Sequence, residues 1–553
     1  MRLAGGATGA AAPCTGDSEQ RPGPMTGRSV DEVERRLVRL WELVLAVGAI
    51  GVTDDFFQLG ADSLIAATLA ADISREFGVD CSARTVMTAR TIRQVAAIVR
   101  AGAAVSGPVV PPAPTADRYP LSPQQRQLYV EQFRNAEATH YNLPLSLDLG
   151  EQVDASRLAD AFRRVIARHE ALRTDFTLLD GTPMQRVHPE VEFRLERGRW
   201  PGPAVADFVR PFDLGHAPLL RAGLFTDSEG HARLLVDIHH SIADGTSLGI
   251  LLSEVQAAYR GSALPPIPLQ YKDYAHWLSF GEGRRWQAGQ LSHWLAQFST
   301  APAVLDLPTD FPRPAVPQLA GAVVEFTVDE VATAGLRRLA ADQGATLFHV
   351  LLATYTVMLS GPTGQPDITV GTPAAGRSLP GFDKTIGMFV NTLCLRNEVR
   401  EDQPFAELLR TVRDRTLVAF AHQDVPFPEL VSQVLAGRRT ANRNPLFDTL
   451  LALHRGSLID GDFLGASVEL AVSMPDHAMF DLNMQVFEVG SALRVFWGYR
   501  TALFTEATVR GLFESFLAVA RAALADPTAR IRDLRTDRHG TGAVANLDID
   551  FDF

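Results

Sequence analysis

Leu235-Val236-Asp237-Ile238-His239-His240-Ser241-Ile242-Ala243-Asp244-Gly245-Thr246-Ser247 is an apolar run that ends in two histidines and turns, through an acidic residue and a glycine, into a helix. Leu234 to Ile238 read as a strand, and Leu248, Leu251, Leu252, Val255 and Tyr259 recur at the spacing of one helical face. Successive strand side chains point to opposite faces, so only one of the two histidines faces a given cavity and the other is structural. From Tyr119 onward further strand-like runs alternate with helical ones such as Thr346 to Leu359, which predicts a mixed α and β unit. That unit is too large for a single core and divides near residue 295 into lobes of 118–295 and 296–538.

The chain has 553 residues, of which 46% are apolar and 21% charged, the composition of folded globular protein. Its net charge of -12 argues against the basic footprint that a phosphate backbone requires, so nucleic acid is excluded as a partner. Cys14, Cys81 and Cys394 are far apart and lack the paired spacing of a zinc site or redox dithiol, so neither a metal nor a disulfide framework is expected. Residues 1–26, rich in Ala, Gly, Pro and Thr, contain no long apolar run and read as a disordered leader rather than a signal peptide or membrane anchor. With Met25 a second candidate start, a cytoplasmic location without membrane attachment follows.

Outward from the strand toward the N-terminus lies a smaller unit, 27–102. Ser29-Val30-Asp31-Glu32 reads as a capping box ahead of Val33, Leu37, Leu40, Trp41, Val44 and Leu45 at helical spacing. A second helix runs from Ser63 to Phe77 with Gly78 as its stop, and Thr91 opens another to about Arg100. The unit is an all-helical bundle. Residues 103–117, rich in proline and small residues, read as a semi-rigid spacer of roughly 40 Å.

Asp54-Asp55-Phe56-Phe57-Gln58-Leu59-Gly60-Ala61-Asp62-Ser63-Leu64 sets a serine at a helix start, after a glycine and an aromatic pair that anchors the loop. On position alone Ser63 is a capping residue. The whole string resembles the attachment motif of peptidyl and acyl carrier proteins, and the resemblance, over 27–102, implies a four-helix carrier whose Ser63 bears a 4′-phosphopantetheine arm. A helix N-terminus suits a phosphate, because free amides and the helix dipole favour negative charge there.

The histidine stretch matches the His-His-x-x-x-Asp-Gly pattern of condensation domains, a family similar in fold to chloramphenicol acetyltransferase. Six other motifs of that family occur in order. Leu121-Ser122-Pro123-Gln124-Gln125-Arg126, Arg168 to Phe176 (Arg-His-Glu-Ala-Leu-Arg-Thr-Asp-Phe) and Tyr271-Lys272-Asp273-Tyr274-Ala275-His276-Trp277 lie in the first lobe. Ile386-Gly387-Met388-Phe389-Val390-Asn391-Thr392, His422-Gln423-Asp424-Val425-Pro426-Phe427 and Arg438 to Phe447 lie in the second. The resemblance, over 119–450, implies two acetyltransferase-like lobes in a V, with a tunnel between them and a carrier docking site at each mouth. It implies that His240 faces the tunnel as the catalytic residue, that Gly245 allows close backbone approach there, and that His239 and Asp244 are structural, Asp244 through an arginine such as Arg377. The remaining motif residues are read as architectural.

Together the two resemblances imply a nonribosomal peptide synthetase carrier followed by a condensation domain. Ser63 would hold an aminoacyl or peptidyl thioester, and His240 would assist its transfer to the amine of an acceptor on a downstream carrier. Partners implied are a phosphopantetheinyl transferase, an adenylation domain in trans or an upstream synthetase, and the downstream synthetase carrier. Relatives that epimerise depart from the Gly387–Thr392 pattern, and those that form heterocycles replace the first histidine with aspartate. Recruitment of tailoring enzymes to the carrier and ester formation with an alcohol acceptor stay open as alternatives. In the acidic tail, 539–553, Leu547-Asp548-Ile549-Asp550-Phe551-Asp552-Phe553 alternates with period two, which reads either as a solvated terminus or as a docking strand for the next synthetase.

Overall fold

The structure, a computed structural model, describes residues 31–535 except 46–47, 58, 60–62, 80, 82, 103–107, 150–152, 200–204, 230, 436–441, 456, 465 and 470–476. The leader, Ser29, the start of the proline-rich spacer, Arg438 to Ala441 and the tail with Leu547 to Phe553 lie outside the described residues.

Four helices, Glu32–Leu45, Ser63–Phe77, Ala83–Ala89 and Ile92–Ala101, close over Leu37, Trp41, Phe56, Leu69 and Ile73, each wholly buried. The first helix is capped two residues later than the Ser29 box: Glu34 N–H donates to Asp31 at 2.9 Å, and Asp31 N–H reaches back to Glu34 at 3.4 Å. Asp31-x-x-Glu34 has the same reciprocal spacing, and its carboxylates also pair with Arg100 and Arg93 of the last helix. Thr91 caps that last helix by accepting from Gln94 N–H, and Gly102 ends it at φ +63°.

The spacer rejoins the fold before its end. Val110 is buried in the first-lobe core and Ala113 N–H donates to Asp273 at 2.8 Å, so its second half lies along the lobe instead of spanning open solvent.

Strand Ala232–His239 sits inside a four-stranded sheet, antiparallel to Asn142–Leu149 on one side and to Leu220–Thr226 on the other, with Glu196–Arg199 at the edge. Helices Ala155–Arg168 and Gly245–Tyr259 cover it. The second lobe is a six-stranded sheet in the order Asn391–Glu398, Asp367–Ala374, Thr449–Arg455, Leu482–Val489, Ala492–Arg500, Gly321–Val328. Its central helix, Leu347–Thr363, is buried on every side through Ser360, as the unbroken apolar run from Leu347 demands. Helix Gly281–Gln297 carries residue 295, and its Trp294 belongs to the second core while Trp277 and Leu278 just before it belong to the first.

The lobes also exchange material. Strand Ser457–Phe463 and its partner Ala466–Glu469 extend from the second lobe, and Phe463 and Leu464 are buried in the first-lobe core. Leu464 N–H donates to Gln256 at 3.0 Å. Among the described residues no single helix is long and apolar enough to cross a membrane.

His239 and His349 are both buried, and burial is the main cause that pushes each imidazole down to about 3. Both stay neutral in the fold but protonate below about pH 6.5 in the unfolded chain, so the unfolded state binds more protons in that window and stability falls as pH falls through it. Urea midpoints followed by tryptophan fluorescence should therefore drop between pH 7.5 and 5, each histidine contributing up to about 1.4 kcal/mol per pH unit. His349→Gln should flatten that dependence, since a glutamine oxygen can still accept from Thr346 N–H as His349 Nδ1 does at 3.0 Å.

Candidate active site

His240 is the first residue beyond the buried strand, and it is half-buried. Its N–H donates to the Tyr141 carbonyl at 2.8 Å, continuing the pairing with the neighbouring strand for one more residue. Its Nδ1 lies 2.7 Å from the Ala243 carbonyl. A carbonyl only accepts, so Nδ1 carries the proton and the Nε2 lone pair is the one left to receive a hydrogen bond.

His239 points the other way, as strand alternation requires, and is fully buried. Ser241 N–H donates to its Nδ1 at 3.1 Å, which places the proton on Nε2. That nitrogen has no partner among the described residues, and the ring meets the edge of Phe212 with centroids 6.1 Å apart. A neutral, inert imidazole is the result.

Asp244 is the fixed point of the turn. Wholly buried, it caps helix Gly245–Tyr259 by accepting from Ser247 N–H at 2.8 Å. Arg377, from the second lobe, grips both carboxylate oxygens at 2.8 and 3.0 Å, and the N–H groups of Phe389 and Val390 donate to Oδ2 at 3.0 and 3.2 Å. Burial alone would raise this carboxyl, but the Arg377 charge and the hydrogen bonds outweigh it and hold the group below the usual range. One carboxylate thus joins the histidine turn to the Ile386–Thr392 segment across the lobes.

The same junction is tightened by Ser247, whose Oγ donates to the Gly387 carbonyl at 2.9 Å. A side chain on Gly387 would come within 2.1 Å of the Tyr271 ring, so only glycine lets this segment approach. Gly245 is the opposite case. It is exposed, and a carbon built onto it meets nothing within 4 Å. Glycine there is not required by packing; it leaves the helix start, with its outward amides, open beside His240.

The other motifs surround this core with hydrogen bonds. Gln125 donates to the Ser241 carbonyl at 3.1 Å. His169 accepts from Ile386 N–H at 3.3 Å and reaches Glu254 at 2.8 Å with its other nitrogen, while Tyr271 donates to the Met388 carbonyl at 2.7 Å. Asn391 donates to the carbonyls of Gln423 and Val425 at 2.8 and 2.6 Å. From facing lobes, the rings of His140 and His477 lie 6.2 Å apart.

Sequence reading missed the platform beneath the histidine strand. Asp237, two residues before His239 and on its face, accepts from Asn142 at 2.8 Å and Arg221 at 3.1 Å. Burial raises its carboxyl to about 6, against the pull of Arg221. Alternation alone marks an inward acid there, but its partners come from two other strands.

In the carrier unit, Ser63 is the first residue of its helix, and the first turn holds no acidic residue. Phe56 and Phe57 are buried behind the loop, with the Phe56 ring edge-on to Trp41 at 5.3 Å. A helix start free of opposing carboxylates in its first turn, on an anchored loop, fits a phosphodiester. Gly60, Ala61 and Asp62 lie outside the described residues.

Comparison with known proteins agrees with this architecture. Residues 115–539 match the model of the condensation domain, and residues 35–99 match that of the phosphopantetheine attachment site. The chain is 37% identical over 511 residues to tyrocidine synthase 3 of Brevibacillus parabrevis, a match that covers 91% of this chain and 8% of that protein. It is 35% identical over 508 residues to bacitracin synthase 3 of Bacillus licheniformis, covering 91% and 8%. The chain thus spans only a small part of the curated relatives it matches. Among solved structures, the X-domain from teicoplanin biosynthesis superposes with a TM-score of 0.68 at 24% identity, over 77% of this chain and 99% of that one, which is a likeness of fold. The chain belongs to the condensation-domain family of nonribosomal peptide synthetases, with a phosphopantetheine carrier domain ahead of the condensation domain.

Proposed function

We propose that this chain presents an acyl group on Ser63 and joins it, at His240, to the amine of an acceptor carried by another synthetase protein. The observation that carries the reading is His240 itself: Nδ1 is fixed on the Ala243 carbonyl, and Nε2 is left as acceptor beside the unobstructed helix start at Gly245. The phosphopantetheine arm, when attached to Ser63, would supply a thioester carbonyl as electrophile and a thiolate as leaving group. His240 Nε2 accepts a hydrogen bond from the attacking amine, orients its lone pair, takes up the one proton it loses as the C–N bond forms, and returns that proton to the thiolate released as the C–S bond breaks. Amides at the start of helix Gly245–Tyr259 face the developing oxyanion. Asp244 and Arg377 act as positioning residues that hold the turn.

Partners follow from this chemistry: a phosphopantetheinyl transferase to arm Ser63, an adenylation domain in trans or an upstream synthetase to load it, and a downstream carrier as acceptor. The location that suits these partners is the cytoplasm. Leu547 to Phe553 would dock the acceptor protein by strand addition, their alternate apolar side chains seeking pockets and their aspartates a basic edge.

Intact-mass spectrometry tests the core of the reading. The phosphopantetheinylated chain, loaded with an aminoacyl group and mixed with a soluble aminoacyl thioester as amine, should form an amide. Ser63→Ala should abolish it. His240→Ala should slow it about a hundredfold, with a residue of activity because the thioester is already activated. Loading without condensation across several donors and acceptors would replace this reading with recruitment of other enzymes. Arg377→Leu should lower stability by about 3–5 kcal/mol, because Asp244 would be left buried and uncompensated, and should reduce turnover together with it. A chain ending at Asn546 should transfer to the cognate acceptor protein more slowly while keeping its rate with the soluble amine.

A further inference from the structure

The backbone of Ile386–Val390, the segment that clasps Asp244, is held by side chains at every residue. Phe389 and Val390 N–H donate to Asp244 at 3.0 and 3.2 Å, Gly387 N–H donates to Ser247 Oγ at 3.1 Å, and the Met388 carbonyl accepts from Tyr271 at 2.7 Å. The remaining tie is Ile386 N–H, which donates to His169 Nδ1 at 3.3 Å.

The acceptors differ in kind. An ionised carboxylate only accepts and a hydroxyl keeps lone pairs in every orientation, but an imidazole nitrogen accepts only when the proton sits on the other nitrogen. His169 is wholly buried and Ile386 is 1% exposed. With the proton on Nδ1, two N–H groups would face each other with no water to relieve either. Glu254 removes that choice. Its Oε2 lies 2.8 Å from His169 Nε2, and a carboxylate there takes the proton of Nε2 as a donor and leaves the Nδ1 lone pair for Ile386. Burial pushes the His169 imidazole down, against the pull of Glu254, so the ring stays neutral and Nδ1 stays bare.

Glu254 stands outside every motif named above, yet its place in the fold is specific. It lies in helix Gly245–Tyr259, two turns after Ser247 and on the same side of the helix. One helix thus grips the segment at three levels: from Asp244 at its start, from Ser247 in its first turn, and from Glu254 through His169. Arg168 Nε donates to the same Oε2 at 2.9 Å and its Nη1 donates to the Pro265 carbonyl, which holds the carboxylate in place. We infer that Glu254 is a positioning residue for the proposed reaction: by fixing the tautomer of His169 it sets the Ile386–Val390 segment, and through that segment Asp244 and the turn that carries His240. The inference rests on that reaction for its effect on rate, whereas the hold on Ile386 can be followed without it.

Three variants of the full chain test this role. Arg168→Gln breaks the ion pair and leaves the carboxylate on His169. Arg168→Gln combined with Glu254→Leu removes the acceptor without stranding a cation, and Glu254→Gln keeps an oxygen for His169 Nε2. Each is followed in single turnover with its loaded carrier and the soluble amine, and by hydrogen–deuterium exchange mass spectrometry of peptides that contain Ile386–Val390. The double variant should lose about tenfold or more in maximal rate with little change in the amine concentration that gives half of it, and exchange in the segment should rise by about tenfold or more, as expected when a hydrogen bond to a charged group is lost from a buried site. Arg168→Gln and Glu254→Gln should stay within about threefold of the parent in both measures. Parent-like exchange in the double variant would overturn the inference. So would a Glu254→Gln chain as impaired as the double variant, because the charge and not the tautomer would then be responsible. If the parent forms no amide, the proposed reaction fails, and the exchange measurement alone decides whether Glu254 sets the segment.

Discussion

A single buried carboxylate organises this molecule. Removing Asp244 from water is costly by itself, and the cost is offset only because a bidentate arginine, Ser247 in the first turn of the helix that Asp244 caps, and the amides of Phe389 and Val390 all converge on it. These donors come from both sides of the lobe junction. The ion pair therefore specifies geometry more than it adds stability: only one mutual placement of helix Gly245–Tyr259 and the Ile386–Thr392 segment satisfies every donor. His240, four residues earlier, inherits its position from that constraint and from the buried strand that precedes it.

The division of labour between the two histidines follows from elementary strand geometry. Adjacent positions on a strand face apart, so one imidazole enters the core and the other meets the open side. Their hydrogen bonds then assign opposite tautomers: a backbone N–H fixes the acceptor nitrogen of His239, and a backbone carbonyl fixes the donor nitrogen of His240. No charged neighbour is needed to set either state.

Much of this was legible in the residues themselves. The strand into the histidines, the helix from Ser63 to Phe77 and the Thr91 cap were readable because each is local: periodicity and capping act over a few residues. The first-helix cap slipped from Ser29 to Asp31 because two overlapping stretches carry the same spacing, and only the distant Arg93 and Arg100 decide between them. Helix Ala83–Ala89 is too short for its periodicity to stand out. The platform of Asp237, Asn142 and Arg221 was hidden for a different reason, since its members meet only through sheet register, which one sequence does not display. The contact of Arg90 with the Ala341 carbonyl likewise has no local signature, since its partner lies 251 positions away.

The arm that crosses between the lobes constrains how they move. Phe463 is wholly buried in the first-lobe core although its chain belongs to the second lobe, and Leu464 is bonded to Gln256. Wide separation of the lobes would draw an aromatic ring out of a packed interior, at about the several kcal/mol that deleting such a ring costs. The arm is a tether of fixed length: a spread of the lobes wide enough to admit a large folded partner would pull Phe463 out of its seat. Whatever reaches the junction with the arm in place must then be slender and extended.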